Sequence, residues 1–150
     1  MIDDAVTGGC QCGAVRYRVE RLGRASICHC RMCQKAFGSF FGPLVSAEGV
    51  TWTRGERSVF HSSNRNWRGF CAACGTPLTY ESEGAIEVSI GSLDRPDLAP
   101  PTVQVNVADR CRFLDGLFAL PEVAPAQASQ DAAWNAGVIS NQRPDRDTDG

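Results

Sequence analysis

The chain has 150 residues, 43% of them hydrophobic, and its 17 acidic and 15 basic side chains leave a formal net charge of -2. That length suits one domain of ordinary size, with a modest core if part of the chain is a disordered tail. The charge argues against a protein built to coat nucleic acid or an anionic membrane. Eight cysteines stand beside only two histidines and two methionines, too many to pass as scattered small core residues.

Compartment decides how such thiols are read, because an oxidising space favours disulfides and a reducing one favours metal or thiol chemistry. From Met1-Ile2-Asp3-Asp4 to Gly8-Gly9 there is neither a basic region nor an apolar run, so no secretory leader is expected. No stretch reads as a membrane span. The expected setting is cytoplasmic, with metal the first role for the cysteines, thiol chemistry the second and disulfides the third.

Along the chain, Ala14–Glu20 alternates Val15, Tyr17 and Val19 with Arg16 and Arg18, the period of a half-buried strand. Arg31–Phe37 is predicted as one short helix ending before Gly38. Further short strands are predicted near Ser39–Ser46, Val50–Thr53, Ser58–Ser62, Leu78–Glu81, Ala85–Ile90 and Thr102–Val107, with turns at Glu48-Gly49, Arg54-Gly55 and Glu83-Gly84. The domain is therefore expected to be mainly β over residues 1–122. Residues 123–150, rich in Ala, Pro and Asp, are expected to be a flexible tail that buries too little apolar surface to offset its ordering entropy. Within it Trp134, Val138 and Ile139 are expected on an exposed, weakly helical segment rather than a docking turn.

Three cysteine clusters carry the chemistry. Cys10-Gln11-Cys12-Gly13 and Cys71-Ala72-Ala73-Cys74-Gly75 are each a tight turn able to present two sulfurs, with a glycine placed where backbone carrying a Cβ would resist folding round a metal. Together Cys10, Cys12, Cys71 and Cys74 make a closed, structural four-thiolate zinc site whose binding energy becomes folding energy. A pair of disulfides is the alternative, at the cost of strained bridges. Cys28, Cys30 and Cys33 are three ligands with no second turn to complete them, the pattern of a catalytic zinc with an exchangeable position. The positive end of the following helix would favour the Cys30 and Cys33 thiolates. Three thiolates make zinc a poor water activator but a good acceptor of a fourth sulfur. Closure of the site by His61, Cys111 or an acid, and a metal-free redox triad, remain alternatives. His29 lies between ligands with its ring expected to point away from them, so it reads equally as a contact with substrate or with a ligand and as an ordinary satisfied histidine. Arg65 and Arg68 are candidate contacts for an anionic substrate. Cys111 stands alone without a role.

Gly9-Cys10-Gln11-Cys12-Gly13-Ala14-Val15-Arg16-Tyr17, Cys28-His29-Cys30-x-x-Cys33 and Phe70-Cys71-x-x-Cys74-Gly75-Thr76-Pro77-Leu78 together resemble the glutathione-dependent formaldehyde-activating enzyme family, which includes the centromere protein V domain. Gly38-Ser39-Phe40 and Gly91-Ser92-Leu93-Asp94 extend the resemblance over about Thr7 to Glu122. It implies a zinc-stapled β-tent fold of short antiparallel strands and two zincs per chain. Cys10, Cys12, Cys71 and Cys74 would be structural, with Cys28, Cys30 and Cys33 at the catalytic centre. It implies carbon–sulfur lyase chemistry joining glutathione to formaldehyde as S-(hydroxymethyl)glutathione. Gln34 stands where the family usually has Arg, Gln104 where His is frequent, and Asp109–Phe113 lacks a frequent Trp. The alternative class is a non-catalytic zinc-stapled module that binds a thiol or docks a protein. Neither nucleic acid nor membrane is an expected partner.

Overall fold

Short apolar alternations form strands, and ten fall among residues 5–148, which the computed structural model describes. The expectations placed on residues 1–4 and 149–150 lie outside the described residues. In chain order the strands are β1 (Val6–Gly9), β2 (Arg16–Val19), β3 (Arg21–Cys28), β4 (Gly42–Glu48), β5 (Thr51–Arg54), β6 (Ser58–His61), β7 (Asn66–Phe70), β8 (Pro77–Ser82), β9 (Ala85–Ser89) and β10 (Val103–Val105). Helix α1 (Arg31–Phe37) follows β3, and α2 (Pro125–Ala136) lies near the C-terminus.

The strands make a three-stranded sheet, β1-β2-β5, and a seven-stranded one, β10-β3-β4-β9-β8-β7-β6. The domain is mainly β, as expected. Its ladders are antiparallel except where β10 runs parallel to β3, setting Val103 opposite Ser26 and Val105 opposite Cys28. One core joins the sheets: Val15, Tyr17 and Val19 from the smaller meet Val45, Leu78 and Val88 from the larger. The Val and Leu side chains among them each contribute about 1.5–3 kcal/mol by burial.

The segment Gly91–Asp94 locks the smaller sheet in place. Burial pushes the Tyr17 phenol up, and its hydroxyl meets Ser92 Oγ at 2.7 Å. Arg16 forks onto Asp94 at 2.7 and 2.5 Å, while Thr7 Oγ1 donates to the same carboxylate at 2.6 Å. Burial opposes the Asp94 charge, yet the Arg16 and Thr7 hydrogen bonds outweigh it and hold the carboxyl below its usual range.

The helix expected over Arg31–Phe37 forms with those bounds. Cys30 caps it by accepting the Cys33 N–H, and Gly38 ends it in the left-handed region at φ 57°. The strand expected from Ser39 begins only at Gly42, because Ser39–Phe41 belong to the turn that leaves the helix. Thr102–Val107 shortens to β10, with Val107–Asp109 turning as 3-10 helix. Strands β1, β3 and β7 were not among the predicted elements.

Helix α2 is exposed throughout, and Trp134 within it and Ile139 just beyond it are 78% and 91% accessible, so these side chains do not dock. Beyond it the chain returns to the domain through polar contacts. The Arg143 N–H donates to the Gln11 carbonyl at 2.9 Å, and Arg16 Nε donates to Asp147 at 2.9 Å.

Candidate metal centres

Two knuckles build the first centre. In one, the Gly13 N–H donates to the Cys10 carbonyl at 3.2 Å and the Val15 N–H to Cys10 Sγ at 3.2 Å. In the other, the Gly75 N–H donates to the Cys71 carbonyl at 2.8 Å. Gly13 and Gly75 have φ of 80° and 81°, the left-handed conformation that the glycine after each second cysteine was expected to supply. The Gln11 N–H donates to Thr76 Oγ1 at 3.0 Å and ties the knuckles together.

Cys10, Cys12, Cys71 and Cys74 thereby place four sulfurs within 4.8 Å of one another. Cys10 and Cys12 are 3.6 Å apart, Cys12 and Cys71 3.8 Å. Zinc–sulfur bonds of about 2.3 Å at tetrahedral angles need sulfurs about 3.8 Å apart, so the donor set fits zinc. Crowding supports the fit. The Ala14 N–H favours the Cys12 thiolate, but burial and the thiols of Cys10, Cys74 and Cys71 outweigh it and push Cys12 up. Burial opposes the Cys74 thiolate too, yet the Thr76 hydroxyl and N–H and the Cys12 N–H lower it. Four thiols so placed need a cation before all can ionise. All eight cysteines are free thiols.

Cys28, Cys30 and Cys33 form the second group, on the end of β3 and the first turn of α1. Its three sulfurs also lie within 4.8 Å of one another, and among the described residues neither His61, Cys111 nor an acid joins them. Gly42 on β4 makes the approach possible, because a Cβ there would lie 2.8 Å from Cys33 Cβ. Asn106 Nδ2 donates to Cys28 Sγ at 3.3 Å, the Cys33 N–H to Cys30 Sγ at 3.3 Å, and Arg68 Nη2 to Cys33 Sγ at 3.4 Å. Burial opposes the Cys28 thiolate, but the Cys30 N–H and Asn106 hold it below the usual thiol range. At Cys33 burial wins over Arg68 and pushes the thiol up.

The remaining candidates take different places. Arg68 is buried under the cluster, with its guanidinium 4.7 Å from the Tyr80 ring centroid. Arg65 lies exposed in the turn between β6 and β7. His29 is 1% exposed and stands outside the sulfur cluster; its Nε2 meets Gln104 Oε1 at 2.9 Å, and its Nδ1 has no hydrogen-bond partner among the described residues. Gln34 is buried and donates to the carbonyls of His29, at 2.7 Å, and Asp109, at 3.1 Å. Gln34 and Gln104, two of the three departures from the family pattern, therefore both brace His29. Asn106 escaped the sequence reading; its signal is an Asn at the end of a β run, a residue that accepts left-handed backbone.

Seven of the eight cysteines gather on a mainly β scaffold as one four-sulfur and one three-sulfur group, each of which could hold a metal ion. The chain belongs to the glutathione-dependent formaldehyde-activating enzyme family, whose model matches residues 5–109. Among solved structures, a protein of Rhodobacter sphaeroides shares the fold at a TM-score of 0.52 and 22% identity, over 66% of this chain and 99% of that one.

Proposed function

We propose that the chain is a zinc-dependent carbon–sulfur lyase that joins a small thiol, glutathione or a similar anionic thiol, to formaldehyde or a related small electrophile. The observation that carries this reading is Arg68, which donates to one of three converged thiols and also lines a neighbouring cationic groove. The groove, about 460 Å³, is lined by Arg31, Lys35 and Arg68 around Met32, Ala36 and Phe60, and its lining has no carboxylate. Arg68 belongs both to the groove and to the Cys33 hydrogen bond.

Zinc held by Cys28, Cys30 and Cys33 supplies a soft Lewis acid that favours the thiolate form of a fourth sulfur at neutral pH. The chain's own residues do the rest. Arg31 and Lys35 bind the carboxylates of the thiol, and the guanidinium offers a planar fork for one of them. Met32, Ala36 and Phe60 exclude water from its apolar stem. Arg65, in the same turn as the groove-lining Ser62, adds charge on the approach, and His29 acts through the backbone of Cys28 and Cys30. In the reaction a sulfur–carbon bond forms, the carbonyl π pair moves to oxygen, and that oxygen gains the proton the thiol loses. The gain is one of proximity and orientation.

The proposal places the protein in a reducing, cytoplasmic setting, where seven thiols stay available for metal. No helix among the described residues is long and apolar enough to cross a membrane. Exchange NMR with glutathione and formaldehyde tests the activity: the protein accelerates exchange between free and sulfur-bound formaldehyde. An unchanged rate at high protein concentration overturns it. The second reading, a protein-docking module, draws on Phe118 and Leu120, exposed by 97% and 67%, and an inactive protein with both metals bound favours it.

A further inference from the structure

Every sulfur of the open cluster accepts at least one N–H, and the sources differ in kind. Cys30 takes the Cys33 amide and Cys28 the Cys30 amide from the same turn, whereas Asn106 and Arg68 reach Cys28 and Cys33 from 78 and 35 residues away. In the closed cluster the Cys10 and Cys74 sulfurs are met by a backbone N–H and a threonine hydroxyl, without a cation. Asn106 is the only non-glycine residue at positive φ among the described residues, at 55°. That conformation, which asparagine tolerates, turns the chain just after β10, where Asn106 Nδ2 meets Cys28 Sγ. The Arg68 guanidinium sits on the Tyr80 face with its Nε buried and unpaired, so Cys33 Sγ is its hydrogen-bond partner.

We propose that Arg68 and Asn106 are positioning residues of this centre: their N–H groups take up lone pairs of Cys33 and Cys28 and offset their charge, so that the centre accepts an anionic fourth ligand. This rests on the reading that the three cysteines hold a divalent metal. Three thiolates with a divalent ion carry a net charge of -1, and one guanidinium brings the local sum to zero. An added thiolate then joins a neutral site rather than an anionic one. Such outer partners tune metal centres by 10- to 100-fold in affinity.

The test uses the full chain loaded with Co²⁺. Asn106→Gly keeps the left-handed backbone and deletes the carboxamide, Arg68→Met deletes the charge, and Arg68→Lys restores it without the fork. Loss of an N–H···S bond raises the sulfur donor level, so the thiolate-to-cobalt band moves to longer wavelength in N106G and R68M. Both hold the second Co²⁺ about 10- to 100-fold more weakly. Binding of 2-mercaptoethanol, followed by the cobalt d–d bands, weakens about tenfold or more in R68M and recovers in part in R68K. Two bound Co²⁺ with unshifted bands and unchanged 2-mercaptoethanol affinity in N106G and R68M overturn the proposal and leave the metal reading standing. A single Co²⁺ in the unsubstituted chain overturns both. If R68M fails to fold, N106G and R68K decide by the same bands.

Discussion

The closed and the open cluster are made of the same residue and differ in how far the chain must travel to finish them. The closed one joins two turns of the form Cys-x-Cys-Gly and Cys-x-x-Cys-Gly, and its hydrogen bonds come from Val15, Thr76 and neighbouring backbone. The open one takes its three ligands from one stretch, then recruits Gly42, Arg68 and Asn106 from three other strands or strand ends. In the open cluster the ligands are local and most of what surrounds them is not. A motif therefore locates a metal centre, and the rest of the fold decides what it does.

The division is broken most directly at the ligands. Cys71→Ser removes one quarter of the closed set, and since structural zinc contributes about 10–16 kcal/mol against a typical domain stability of 5–15, the variant loses its fold. Circular dichroism and elemental analysis read this. Cys28→Ser keeps the fold and loses one of two metals, and equal disruption by both substitutions abolishes the distinction.

Acid sharpens the contrast on the closed side. The Arg16 and Thr7 hydrogen bonds hold the Asp94 carboxyl below its usual range against burial. Because the folded value lies below the unfolded one, near 3.9, the stabilisation is complete above the unfolded value and is lost as pH falls through the folded one. Asp94→Asn costs about 2–3 kcal/mol at pH 7 and flattens that acid limb, while the metal content of the open cluster stays unchanged. Urea melts across pH check both.

Gly42→Ala acts on the open side. Its new Cβ meets Cys33 Cβ, which costs about 1–3 kcal/mol of overpacking. The second metal is held more weakly in a chelator competition, and the first is unaffected. Removal of residues 142–150 is the mildest change. It exposes the Gly13 knuckle, which the Arg143 side chain covers, and speeds chelator extraction of the closed-site metal less than about tenfold, since exposed polar contacts contribute below about 1 kcal/mol.

What the sequence disclosed follows the same line. The ligand sets were legible because a metal needs fixed spacing, and α1 because Gly38 ends it. Strand β7 was hidden because Arg68 turns inward to Cys33, which breaks the apolar alternation at a functional position. In β3 a bulge between Leu22 and Ala25 shifts the register and erases the period. Strand β1 is half glycine, and its Gly8 leaves the room Tyr17 needs, since a Cβ there would lie 2.4 Å from the Tyr17 hydroxyl. Asn106 acts through a partner 78 residues away and Gly42 across the turn that follows α1, and no periodic pattern reports either.

The parallel pairing of β10 with β3 has a consequence in time. During synthesis all four ligands of the closed set, ending at Cys74, emerge before Val103–Asn106, so the first metal can cross-link the chain while the open cluster still lacks its Asn106 donor. Parallel pairings across long separations form slowly, and the early cross-link shortens the loop that this pairing must close. The newborn chain passes through a stage in which the four-sulfur set and Arg68 are present while Cys28 still lacks its Asn106 donor, and that window of exposure to oxidation and to the wrong metal ends when the last strand is laid against β3.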